Sequence, residues 1–124
     1  MRKIAFPFAF LLLLVACGSS PEGTVKSFFR NVEAGKLDAA AELFSKSTLS
    51  KVSLDKLKQG LQRSTREIDE KGGISKIEIL DSKIIGEVAE VKVKLHYGDG
   101  TDDVESMDLI KEDGRWKLQP GADK

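Results

Sequence analysis

The chain has 124 residues, with 20 Lys or Arg set against 20 Asp or Glu, and a single cysteine. Balanced charge argues against bulk binding of nucleic acid. One thiol excludes a disulfide framework, and one histidine beside it leaves too few soft ligands for a zinc-type site.

The first segment is a leader. Arg2 and Lys3 precede an apolar run from Ile4 to Ala16, which gives way abruptly to Gly18-Ser19-Ser20, the three-part layout of a bacterial secretory signal. The run is shorter than the about 20 apolar residues that a bilayer crossing needs. Leu14-Val15-Ala16-Cys17 reads as a lipobox: Leu stands where an ordinary signal peptidase requires a small residue, and the cysteine directly follows the expected cut between Ala16 and Cys17. Cleavage leaves 108 residues, enough for one compact domain to bury its own core. Cys17 is then consumed by a thioether to diacylglycerol, with an N-acyl chain on its amine, and no other cofactor is expected. Several acyl chains make membrane residence effectively permanent, where one chain gives only marginal binding.

The expected organisation is a signal over residues 1–16, a lipidated cysteine and short tether over 17–20, one domain over 21–120 and a tail over 121–124. Without Arg2 and Lys3 the mature chain carries 18 basic and 20 acidic residues, a formal charge of −2. The imbalance is local. Residues 46–71 hold seven basic and four acidic side chains, whereas residues 72–124 hold eight and twelve.

Ser20 is the expected N-cap of a first helix with Pro21 at its first position, and Val25, Phe28, Phe29 and Val32 follow the i, i+3, i+4, i+7 stripe of a half-buried helix up to Gly35. Leu37-Asp38 starts a second, with Asp38 as cap and residues 39–44 as its body. Residues 45–53 read as a Ser/Thr/Lys loop. Ser53 caps a third helix, where Leu54, Leu57, Leu61 and Ile68 mark one side and Lys56, Lys58, Arg63 and Arg66 the others, until Gly72-Gly73 ends it.

From Ile74 the period switches to two. Ile77 and Ile79 alternate with Lys76 and Glu78; beyond a turn near Gly86-Glu87, Val91, Val93, Leu95 and Tyr97 alternate with Lys92, Lys94 and His96. Gly98-Asp99-Gly100 makes the next turn into a strand over 103–111. Asp113-Gly114 is a hairpin signal, leading to Trp116 and Leu118 on one face, and Pro120-Gly121 closes the domain. Helices followed by a meander with one polar face define an α+β domain, with the helices packed on the apolar face of a curved antiparallel sheet.

The order of these elements, together with Val91 to Tyr97 before Gly98-Asp99-Gly100 and the terminal Lys111-Glu112-Asp113-Gly114-Arg115-Trp116-Lys117-Leu118, resembles the nuclear transport factor two-like (cystatin-like) superfamily in its bacterial lipoprotein branch of uncharacterised domains. The resemblance implies a cone-like domain, often with an apolar pocket at its open end. Its motifs are structural and specify no chemistry, because enzymes and non-enzymes share the fold.

Enzymes of such a superfamily, the ketosteroid isomerases for example, hold a carboxylate base and hydrogen-bond donors inside the cone. Tyr97 has the inward parity of Val93 and Leu95, and His96 the outward one. No inward acid is identified: Glu78 is out of phase with Ile77 and Ile79, and the other carboxylates sit at turns or on the third helix. Asp99, Asp102 and Asp103 around Gly100 lack the ligand spacing of an EF-hand. Phe28, Tyr97, Met107 and Trp116 are the candidate pocket or core residues. Lys56, Lys58, Arg63 and Arg66 are the candidate membrane-facing set.

The resulting expectation is a non-catalytic envelope lipoprotein, held at the membrane by its lipid, that binds an envelope protein or a small apolar ligand and no nucleic acid. Gly18 after the cysteine points to an outer membrane, facing the periplasm, if the source has two membranes. The alternatives are a small isomerase, dehydratase or hydrolase using the cone pocket, and an assembly accessory without a small ligand. An inward acid within hydrogen-bond distance of Tyr97 would favour the enzyme; a cone sealed by Phe and Trp would favour the accessory.

Overall fold

The computed structural model describes residues 20–121; the leader, Cys17 and the tail from residue 122 lie outside the described residues. Helix α1 (Pro21–Glu33) is capped by Ser20, whose Oγ accepts the Gly23 N–H at 3.0 Å. Gly35 at φ 75 terminates it in the left-handed conformation that glycine adopts without strain. Helix α2 (Leu37–Ala41) follows at once. Asp38 is not its cap, as the sequence suggested: the cap position falls on Lys36 without a side-chain bond, and Asp38 instead meets Lys58 Nζ at 2.7 Å. An ion pair to another helix has taken the carboxylate that would have served the local backbone.

Residues 45–53 also depart from the expected loop. Helix α3 (Lys46–Lys51) forms there because Ser45, fully buried, accepts the Thr48 N–H at 3.1 Å and contacts Gln119 through the same hydroxyl. No apolar period announces so short a helix; a cap and a tertiary anchor suffice. Helix α4 (Leu54–Glu70) is the longest, capped by Ser53 on Lys56 N–H at 3.2 Å, with Leu61 and Ile68 buried. Among the described residues no helix is long and apolar enough to cross a membrane.

Strands β1 (Ile74–Ile85), β2 (Val88–Tyr97), β3 (Asp102–Glu112) and β4 (Arg115–Leu118) form one antiparallel sheet in the order β1-β2-β3-β4. Ala89, Val91, Val93, Leu95 and Tyr97 of β2 are all buried while their neighbours are more open, so one face of the sheet is the core face. Against it lie Val25, Phe28, Phe29 and Val32 of α1, each worth about 1.5–3 kcal/mol on full burial. Phe28 meets Phe29 and Phe44 edge-on, at 5.1 and 5.5 Å between centroids, the arrangement that aromatic quadrupoles favour.

Helix α1 runs antiparallel to β1. At its last turn Glu33 Oε2 accepts the Ile74 N–H at 2.9 Å. At its first turn the Glu22 carboxylate lies against Ser82 and is held below the usual carboxylate range by that hydroxyl; Ser82 Oγ is itself buried without a hydrogen bond of regular geometry. Trp116 is buried beside the same end of α1, where the Thr24 hydroxyl donates to its carbonyl at 3.0 Å.

Candidate functional site

The turn over residues 98–101 sets the register in which Leu95 faces Asp103 and Val93 faces Glu105. Directly opposed residues of an antiparallel pair share a face. Two acids therefore lie on the core face, where the sequence analysis identified none. They follow from reflecting the inward parity of Leu95 across the glycine turn; the polar character of Asp103 and Glu105 is what concealed them.

The two carboxylates flank a cavity of about 320 Å³ between α4 and the sheet. Phe28, Phe29, Phe44, Leu95 and Met107 supply its apolar lining, while Lys71, Tyr97, Asp103 and Glu105 supply the polar part. The four ring and aliphatic side chains from Phe28 to Leu95 are buried, whereas Lys71, Asp103 and Glu105 are progressively more open. The polar groups thus mark the mouth.

Asp103 is engaged through one carboxylate oxygen. Its Oδ2 accepts the Tyr97 hydroxyl at 3.2 Å and stands 3.3 Å from Lys71 Nζ. The same ammonium lies 4.7 Å from the centroid of the Tyr97 ring, a cation–π distance. Burial, then the charge and hydrogen bond of Asp103, push the Tyr97 phenol up to about 12, so it is a donor at any ordinary pH. Glu105 differs: among the described residues it has no hydrogen bond or ion pair. Its carboxyl is raised above the ordinary value, chiefly by desolvation and then by the charge of Asp103, with Lys71 opposing. Open to the cavity yet walled by protein, it is the carboxylate left free to meet a bound molecule.

The backbone positions this group. Lys71 follows the last turn of α4, and its carbonyl accepts the Asp99 N–H at 2.9 Å, while the Gly73 carbonyl accepts the Gly98 N–H at 2.9 Å. Gly72 and Gly73 have φ of 88 and 83, and Gly98 packs directly on the Gly72 carbonyl. Only backbone fits between the helix end and the β2–β3 turn.

Of the sequence candidates, Phe28, Tyr97 and Met107 meet at this cavity, and Trp116 lies apart from it, with Lys111 Nζ 5.7 Å from its ring centroid. Lys56, Lys58, Arg63 and Arg66 are on α4, whose Thr65 hydroxyl donates to the Val32 carbonyl at 2.7 Å. His96 is on the outer face, its Nε2 2.9 Å from Glu78 Oε1. Asp99 closes its own turn by accepting the Thr101 N–H and hydroxyl, which lower its pKa. Among the described residues no group of three or more His, Cys, Asp or Glu is placed to hold a metal ion. Lys71, Asp103 and Glu105 were not among the site residues expected from the sequence.

Helices laid on one face of a four-stranded antiparallel meander, with a cavity between them, give an α+β fold that matches an NTF2-like neighbour. The chain belongs to the family described as Domain of unknown function (DUF4878), whose model matches residues 15–119. It is similar to an NTF2-like transpeptidase of Campylobacter jejuni at 20% identity over 81% of this chain and 97% of that one, with a TM-score of 0.73. A SEC-C motif containing protein from Rhodopseudomonas palustris matches at 19% identity, over 86% of this chain and 82% of that one, with a TM-score of 0.58. No curated protein matches. At these identities the likeness carries the fold and none of the chemistry.

Proposed function

We propose that the chain is a lipid-anchored envelope protein, held through Cys17, whose domain binds a small amphipathic molecule in the cavity between α4 and the sheet. The cavity carries the reading: about 320 Å³ lies within the usual range of small-ligand sites, which pair a mostly apolar wall with a few polar groups. The open space counts against an accessory with a sealed cone. The apolar body of a ligand sits against Phe28, Phe44 and Met107, and its polar end meets Glu105 and the Lys71–Asp103 pair.

One observation favours an enzyme: Asp103 stands within hydrogen-bond distance of Tyr97. It ranks second because Asp103 is already paired with Lys71, and because the Tyr97 hydroxyl donates to Asp103 and not into the cavity. Glu105 is the remaining acid for such chemistry. That reading requires turnover that Glu105→Gln abolishes while ligand binding persists.

Binding is tested with an uncharged naphthylamine dye, whose fluorescence rises in apolar surroundings. Saturable binding by the wild-type protein should be lost on Met107→Trp, which fills the cavity, with the denaturation midpoint little changed. Equal dye binding by wild type and the filled variant would refute the cavity as the site.

A further inference from the structure

The β1–β2 hairpin ends in apolar side chains that none of the described residues covers. Ile84, Ile85 and Val88 are 55%, 75% and 48% exposed. Ile84 pairs with Ala89 and so belongs to the core face, whereas Ile85 pairs with Val88 on the opposite one. A hairpin tip that is apolar on both faces gains nothing from the domain's own core and leaves a contiguous apolar surface in water. Beside it opens a recess of about 360 Å³ lined in part by Ile85, Val88 and Leu109.

Its position relative to the N-terminus supplies the occupant. Because α1 and β1 are antiparallel, with Glu33 at Ile74 and Glu22 beside Ser82, residues 84–88 overhang the first turn of α1. Ile85 lies three residues past Ser82, about 10 Å along a strand. Cys17 lies three residues before Ser20, and that stretch of chain also spans about 10 Å at most. A stretch of that length is enough for the anchor to come level with the tip at the same end of the domain. The basic face of α4 is elsewhere: Lys58 pairs with Asp38, just beyond the C-terminal end of α1, and Thr65 bonds Val32 near that end. Thirteen residues of helix put about 20 Å between the two ends.

We infer that the tip formed by Ile84, Ile85 and Val88 inserts into the membrane interface beside the lipid anchor, fixing the domain's orientation with its α4 end and cavity mouth turned away from the bilayer. This rests on the lipid anchoring proposed above. Lys83 and Glu87 at the tip offset one another, so apolar transfer drives the contact and added salt leaves it in place. Orientation by the basic residues of α4 would instead weaken with salt.

The test uses the full-length lipidated protein, in which Cys17 is blocked by its thioether, with a single new thiol at Ile85→Cys or, on the α4 face, at Lys58→Cys. Each carries an environment-sensitive fluorophore, in vesicles of phosphatidylethanolamine and phosphatidylglycerol at 3:1 containing a lipid-borne nitroxide quencher. Ile85 is an open surface position and Lys58 a partly exposed one whose contact is the ion pair with Asp38, and Val88→Cys repeats the tip measurement independently. Quenching at least twofold greater at residues 85 and 88 than at 58, unchanged in 0.5 M salt, is the expected result. Equal quenching at the three positions, or more at 58, overturns the inference while leaving the anchor intact. Failure of the wild-type protein to float with vesicles, or equal flotation of Cys17→Ser, removes the anchor and the inference with it.

Discussion

Replacing Gly98 by Ala and replacing Gly60 by Ala make the same chemical change, and the structure assigns them opposite signs. A Cβ on Gly98 falls inside van der Waals contact of the Gly72 carbonyl oxygen and 3.0 Å from its carbonyl carbon. Both partners are backbone, so no side chain can swing away. Relief requires the α4 end and the β2–β3 turn to separate, at the expense of the two 2.9 Å bonds from Gly98 to Gly73 and from Asp99 to Lys71. Overpacking costs about 1–3 kcal/mol and each weakened bond about 1 kcal/mol, for a loss of about 2–4 kcal/mol. At Gly60, inside α4, an added Cβ meets nothing within 4 Å, so the substitution should gain about 0.5–1 kcal/mol by removing glycine's backbone freedom. Urea denaturation followed by Trp116 fluorescence measures both: with a slope of about 1.3 kcal/mol per molar, Gly98→Ala should lower the midpoint by about 1.5–3 M and Gly60→Ala raise it by about 0.5 M. Midpoints that move the same way, or a Gly98→Ala midpoint equal to wild type, would refute the close-approach argument.

Trp116→Ala should cost about 3–5 kcal/mol through lost burial and the residual cavity, because the ring is only 5% exposed; an unshifted urea midpoint would count against that burial. Tyr97 is the sole tyrosine, so absorbance at 295 nm after a rapid pH jump reads it directly, with half-ionisation expected near pH about 12 and a lower value in Asp103→Asn. Because folding raises this pKa, the stability it contributes is present below the unfolded tyrosine's value and is lost as pH rises through the folded one. Glu105 has the same sign at the acid end: its raised carboxyl stabilises the fold while protonated and loses that contribution as pH climbs through the folded pKa. Glu105→Gln should therefore raise the urea midpoint at pH 7 and leave it near wild type at pH 3; an equal shift at both pH values would exclude titration as the cause.

Most of the fold was legible because its signals are local and redundant. Ser20 and Ser53 cap the helices they were expected to cap, and the stripe from Val25 to Val32 and the alternation from Val91 to Tyr97 are the buried faces. What escaped was decided at longer range. Asp38 answers to Lys58 on another helix. Helix α3 depends on Ser45, which is buried against Gln119 from the far end of the chain. The candidate site was half visible: Tyr97 and Met107 have inward parity, but Asp103 and Glu105 reverse the polar-out rule on β3, while Val104 between them is 54% exposed. Register across a turn, and not composition, determines which face such a strand buries. The cavity itself follows from the gap left between α4 and the sheet, a sum of side-chain volumes that no periodic pattern encodes.

The irregular pairing of β1 bears on how copies of the chain behave beside one another. β4 is covered on its open side, where Leu118 bridges to Phe44. β1 is an edge strand of twelve residues, long enough to template a strand from a neighbouring molecule. Register breaks between Ile74 and Lys76 and between Ile79 and Asp81 divide it into regular runs of four and five residues. Cross-β stacking draws on uninterrupted segments of about six or seven, so each run stops short, with Lys76, Glu78, Asp81 and Lys83 placing charge along it. Copies of the chain that meet edge to edge along β1 therefore find no regular run long enough to stack on.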